Sequence, residues 1–174
     1  MRSTWLQLGL WIAAAACQPN TSRPSFTPIP ETAGTEVRLV PQEAIRRLAD
    51  ALRADSVPVR KVRVRDGYLE TNWFDSRTGR PTRARRPIGT GVVRVRAWAD
   101  PARPGSSQLA VETSYRALAD PSLPERELDR QVPRSHPVAL KVEEVLRQLV
   151  KRYGGPPAPQ AQPSERATEN GDDQ

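Results

Sequence analysis

Few side chains in this sequence could do chemistry, and their spacing keeps them apart. Cys17 is the only cysteine and follows four alanines, Ala13–Ala16. His136 is the only histidine. One imidazole cannot build a metal site by itself, and between Ser135 and Pro137 it reads as part of a helix start, with Ser135 as the expected cap. There is no G-x-S-x-G elbow, and Gly89-Thr90-Gly91 lacks the lysine and the spacing of a phosphate loop. Asp66-Gly67 is a turn signal rather than a carboxylate pair. No nucleophile is placed beside a base, so the expectation is a non-catalytic protein with no cofactor and no metal. What the sequence does concentrate is guanidinium. Of 27 basic residues only Lys61, Lys141 and Lys151 are lysines. Arginine's planar fork suits carboxylate and phosphate partners, although a GC-rich genome also favours its codons.

The elements that would position these groups begin with the N-terminus. Met1–Cys17 carries one early charge, Arg2, then a 12-residue stretch, Trp5–Ala16, that is mostly apolar. A spanning helix needs roughly 20 apolar residues, so this run is too short, and it has the shape of a secretion signal. The ending Ala15-Ala16-Cys17 resembles the lipobox of bacterial lipoproteins, with Ala14 where leucine is commoner. That resemblance implies that Cys17 is acylated and becomes the first mature residue. It also implies a stable membrane anchor, because several chains hold where one does not. Gln18 in place of aspartate leans, by the same resemblance, towards the outer membrane facing the periplasm. Ala14-Ala15-Ala16 also fits an ordinary signal-peptidase site, which would leave a free thiol.

The expected organisation is a signal peptide at 1–16, a lipidated N-terminus and flexible tether at 17–34, an α+β domain at 35–154 and a disordered tail at 155–174. The two flanks are too poor in large apolar residues to offset chain entropy. The domain holds 24 basic and 15 acidic residues, net +9, whereas the tail is net −3. A basic balance ordinarily suggests nucleic acid or an anionic membrane. Export removes nucleic acid from reach.

Inside the domain, Pro41–Ala54 and Pro137–Tyr153 have helical spacing. Between them, alternation predicts four strands. Asp66-Gly67 as a two-residue hairpin loop would pair Arg65 with Tyr68 and Val64 with Leu69. Val62, Val64, Leu69, Thr71 and Trp73 would then share the inner face, and Lys61, Arg63, Arg65, Tyr68, Glu70, Asn72 and Phe74 the outer. The third strand, within Gly91–Asp100, turns Val93, Val95, Ala97 and Ala99 inward. The fourth, Gln108–Arg116, does the same with Leu109, Val111, Thr113 and Tyr115. A short helical turn is expected at Glu125–Arg130. The sum is an antiparallel four-stranded sheet with an N-terminal and a C-terminal helix packed on one face, in the order α-β-β-β-β-α. In element order this resembles the helix-grip domains of envelope lipoproteins such as BamC, which implies a role in envelope assembly.

The candidate binding face follows from the alternation. Lys61, Arg63, Arg65, Arg94, Arg96 and Arg116 should share the solvent side of the sheet with Tyr68, Phe74 and Trp98, and the arginines at 77–86 could extend it. Such a platform would take an anionic envelope component or an envelope protein; a solvated face with cross-strand pairs such as Arg63–Glu70 is the plainer alternative. The functional expectation is a membrane-anchored interaction module in the bacterial cell envelope. The rival is an exported carrier or sensor of a small apolar or anionic ligand held between sheet and helices.

Overall fold

The computed structural model describes Arg23, Pro24 and residues 28–154. The expected signal peptide, Cys17 and the expected tail at 155–174 lie outside the described residues. The elements run β1 (Ala33–Val37), α1 (Pro41–Ala54), β2 (Val59–Arg63), β3 (Tyr68–Thr71), β4 (Phe74–Asp75), β5 (Val92–Pro101), β6 (Ser107–Arg116), α2 (Glu125–Leu128), β7 (Asp129–Gln131) and α3 (Pro137–Tyr153). The fold is α+β with an antiparallel sheet. The sheet has seven strands rather than four, in the order β1-β6-β5-β3-β2, with β4 also on β5 and β7 also on β6. A strand precedes the first helix, and a further short helix and strand precede the last.

Both long helices start as their sequences imply, with proline in the first turn, where its missing N–H is not needed. His136, not Ser135, is the cap of α3: its Nδ1 accepts from the Val138 N–H at 3.2 Å. The buried stripe of α1 (Ala44, Ile45, Leu48, Ala49, Leu52) and that of α3 (Val142, Val145, Leu149 among others) close on one face of the sheet, where Leu69, Val95, Ala97, Leu109 and Val111 complete the core. The α2 segment packs on the opposite face, so helices occupy both sides of the sheet.

Two register details differ from the alternation argument. The β2–β3 hairpin pairs Arg63 with Tyr68 and Val62 with Leu69, so its loop is four residues long. Gly67 explains the extra length. Its carbonyl accepts the Ala99 N–H at 2.8 Å, its φ is +57°, and a Cβ there would meet the Ala99 carbonyl at 2.4 Å. The turn is thus docked on β5, which only a glycine permits. A shift of two residues leaves each side chain on its expected face. Further along it does not. The chain leaves β3 after Thr71 and rejoins the sheet as β4, with Phe74 opposite Val93. Phe74 therefore enters the core and Trp73 turns to the other side, the reverse of the expectation.

Candidate functional site

The outer face of the sheet was expected to be a solvent-exposed platform. In the structure it is the floor of a buried ionic layer. Arg94 and Arg96 on β5 stand beside Glu112 and Arg116 on β6, and the chain covers them with α2, β7 and the residues ahead of β1. Glu112, fully buried, accepts both guanidinium nitrogens of Arg126 at 2.5 and 2.8 Å and the Ile29 N–H at 3.1 Å. Asp129, 2% exposed, accepts from Arg94 at 2.7 Å and Arg96 at 3.2 Å. Arg116 reaches Glu125 at 2.8 Å, and its Nε lies 3.9 Å from Asp129 Oδ1. Trp73 is flanked by two of these cations, with the Arg94 guanidinium 4.5 Å and the Arg116 guanidinium 5.1 Å from its ring centre.

Each candidate can now be placed. Tyr68 and Trp98 are buried, packed ring to ring at 5.8 Å, and the Tyr68 hydroxyl donates to Glu70 at 2.7 Å. Burial and that contact to Glu70 raise the Tyr68 pKa. Phe74 is in the core on the other side. Arg94, Arg96 and Arg116 belong to the ionic layer. Lys61 is half-buried and pairs with Glu70 at 3.3 Å. Of the nine candidates, only Arg63 and Arg65 are exposed. The nine do not form one exposed face. Alternation assigned their sides correctly except at Phe74, but it cannot see that the chain's own segments at 28–32 and 117–131 lie over one of those sides.

The layer has a titration of its own. Burial pushes the Asp129 carboxyl up to about 6, against the pull of Arg96 and Arg116 and with a smaller upward push from Glu112. The charged groups facing it are Arg94 and Arg96 from β5, Glu112 and Arg116 from β6, and Arg126 and Glu125 from α2. The folded protein therefore binds a proton as pH falls through about 6, whereas the unfolded chain waits until 3.8. Across that window this group makes folding more favourable as pH drops, with a slope of at most about 1.4 kcal/mol per pH unit. Urea unfolding of wild type and Asp129→Asn between pH 7 and 4.5 is expected to show the difference moving in favour of wild type as pH falls. A difference that stays flat would mean that Asp129 titrates as it does in the unfolded chain.

Two other features face solvent. The loop between β4 and β5, residues 76–91, carries Arg77, Arg80, Arg83, Arg85 and Arg86, all exposed, and no acidic residue. None of the five side chains forms an ion pair among the described residues. The loop is nonetheless fixed at its ends. Asp75 accepts from the Thr78 and Arg77 N–H groups at 2.8 and 3.0 Å, which holds its carboxyl below the usual range. The Thr82 N–H donates to the Trp73 carbonyl at 2.9 Å, and the Gly89 N–H to the Arg116 carbonyl at 2.8 Å. His136 Nε2 lies 3.0 Å from the Thr90 carbonyl. The second feature is a groove of about 470 Å³ between β1 and α3, lined by Ala33, Val132, Val142, Leu146 and Val150, with Arg134 and Glu143 also on its walls.

Among the described residues, no group of three or more His, Cys, Asp or Glu is arranged to hold a metal ion, and no helix is long and apolar enough to cross a membrane. No protein-family model and no curated protein matches the sequence. The loop was legible as a run of arginines, though only as an extension of the sheet face. The groove was not, because β1 offers little pattern: in Ala-Gly-Thr-Glu-Val, only Val37 is buried.

Proposed function

We propose that this chain is a non-catalytic, membrane-anchored lipoprotein whose α+β domain serves as an interaction module in the bacterial cell envelope, held through Cys17 at the outer membrane on its periplasmic side. The observation that carries this reading is the 76–91 loop. Five exposed arginines that form no ion pair among the described residues, with only Asp75 close enough to attract one of them (Arg77), on a backbone pinned at both ends, make a preformed contact for an anionic partner. The buried arginines cannot serve in this way, because carboxylates of the same chain already occupy them. The same fact argues against acid–base catalysis. Glu112 and Asp129 are the most buried carboxylates, and both are held by guanidinium groups within a covered layer rather than turned into a cleft.

The test uses the full chain in its own membrane. With Arg83, Arg85 and Arg86 replaced by Ser, cross-linking is expected to lose envelope components that the parent chain captures. An unchanged set of captured components would remove the loop as the contact surface.

The groove between β1 and α3 favours a second reading, a carrier of a small apolar or anionic ligand. Its volume is within the range of ligand sites, and its lining is mainly apolar. On that reading Leu146→Trp fills the groove and abolishes uptake of an apolar fluorescent probe, while the loop variants leave it unchanged.

A further inference from the structure

We infer that the 76–91 loop is a membrane-contacting edge that takes the headgroups of anionic phospholipids. This rests on the loop being the contact surface of the module and adds the identity of its partner.

The argument starts from what stands beside the arginines. Ile88 is 54% exposed, directly after Arg85, Arg86 and a buried Pro87. The hydrogen bond from the Gly89 N–H to the Arg116 carbonyl ties it to the chain segment that carries Leu118, itself 49% exposed. An acidic protein surface or a free phosphate needs only the cations. A bilayer interface takes both parts at once: guanidinium groups meet lipid phosphates, and bulky apolar side chains enter the boundary between headgroups and acyl chains.

The position of the loop suits a lipid-anchored chain. Arg23 clamps Asp100 through two nitrogens at 2.5 and 2.9 Å, at the end of β5 far from the loop. From Val92 to Asp100 that strand spans roughly 26 Å. Cys17 lies six residues before Arg23, so the tether reaches roughly 20 Å at most. The loop and the acylated cysteine can then meet one bilayer when β5 lies along it. Acyl chains at one end and a basic loop at the other make two attachments, and two signals hold better than one.

The experiment uses the full chain with Cys17→Ser, so that acyl chains do not contribute, and measures co-sedimentation with vesicles. One set contains phosphatidylglycerol in phosphatidylcholine, and the other is phosphatidylcholine alone. The expected result is binding to the anionic set and none to the neutral one. Replacing Arg83, Arg85 and Arg86 by Ser should weaken it roughly a hundredfold. Ile88→Ser should weaken it about tenfold, with unchanged thermal unfolding showing that each variant is folded. Absence of binding to anionic vesicles overturns the inference. So does binding that Ile88→Ser leaves intact, or that polyglutamate displaces as readily as lipid, since either means charge adsorption without membrane contact. If vesicles are ignored while loop-dependent capture of an envelope protein persists, the lipid inference falls and the interaction module stands. If both disappear, both fall.

Discussion

Glu112→Gln is expected to lower folding stability by about 3–5 kcal/mol, read as a fall in the urea midpoint with an unchanged slope. The change is nearly isosteric and removes only charge. Wild-type Glu112 is fully buried, holds Arg126 through both oxygens, accepts the Ile29 N–H and lies 3.6 Å from Arg96. Without it, Asp129 is left as the buried counter-charge to Arg94, Arg96 and Arg116, and a buried cation without compensation costs several kcal/mol. Domains of this size are stable by about 5–15 kcal/mol in total, so the variant sits close to unfolding at 37 °C. A second variant separates charge imbalance from loss of shape. Replacing Glu112 and Arg126 together by Leu should be less damaging than the sum of the single changes, because an ion pair exchanged for apolar contact is close to neutral. A loss below about 0.5 kcal/mol for Glu112→Gln is what an exposed residue would give, and would mean that the face is hydrated after all.

Phe74→Ala is expected to cost about 3–5 kcal/mol, the loss of a large core side chain with the cavity left behind. Simple alternation had Phe74 among the outward aromatics, where the same change would cost at most about 0.5 kcal/mol. The experiment therefore reports directly on the break between β3 and β4. That break inverts the two neighbouring aromatics: Phe74 joins the core opposite Val93, and Trp73 is flanked by Arg94 and Arg116. A Trp73→Ala variant loses its two cation contacts and is expected to be milder, about 1–2 kcal/mol in total. If Phe74→Ala were neutral and Trp73→Ala severe, the inversion would be wrong.

These two positions also mark where the sequence stops being legible. Helical spacing sufficed for α1 and α3, because each has an unbroken apolar stripe and a proline at its start. Alternation sufficed for the sides of β5 and β6, where Val93, Val95, Ala97 and Ala99 on one strand and Leu109 and Val111 on the other all reach the core. It failed at Asn72-Trp73, where the chain steps out of the sheet and the period loses phase. It also missed β1 and β7. Asp129-Arg130-Gln131 is all polar, and its strand pairing with β6 depends on backbone groups and on Asp129 meeting arginines 33 and 35 positions away. Above all, period two says which side chains share a face but not what lies over that face. The arginines read as an open platform are matched by Glu112 on the neighbouring strand and by Asp129 from a distant segment. Leu128, buried next to Asp129 within an otherwise polar stretch, was the one local sign that this segment packs down. The loop ahead of β5 keeps its five arginines exposed, and none of them forms an ion pair among the described residues.

We propose a domain that works from a lipid anchor in the envelope, and the first check is the intact mass of the mature protein. Protein extracted with detergent from the membrane fraction should begin at Cys17 and carry the added mass of acyl chains. A Cys17→Ser chain should lack that mass and leave the membrane fraction once salt screens the basic loop. An unmodified chain beginning at Cys17 in the soluble exported fraction would contradict the claim.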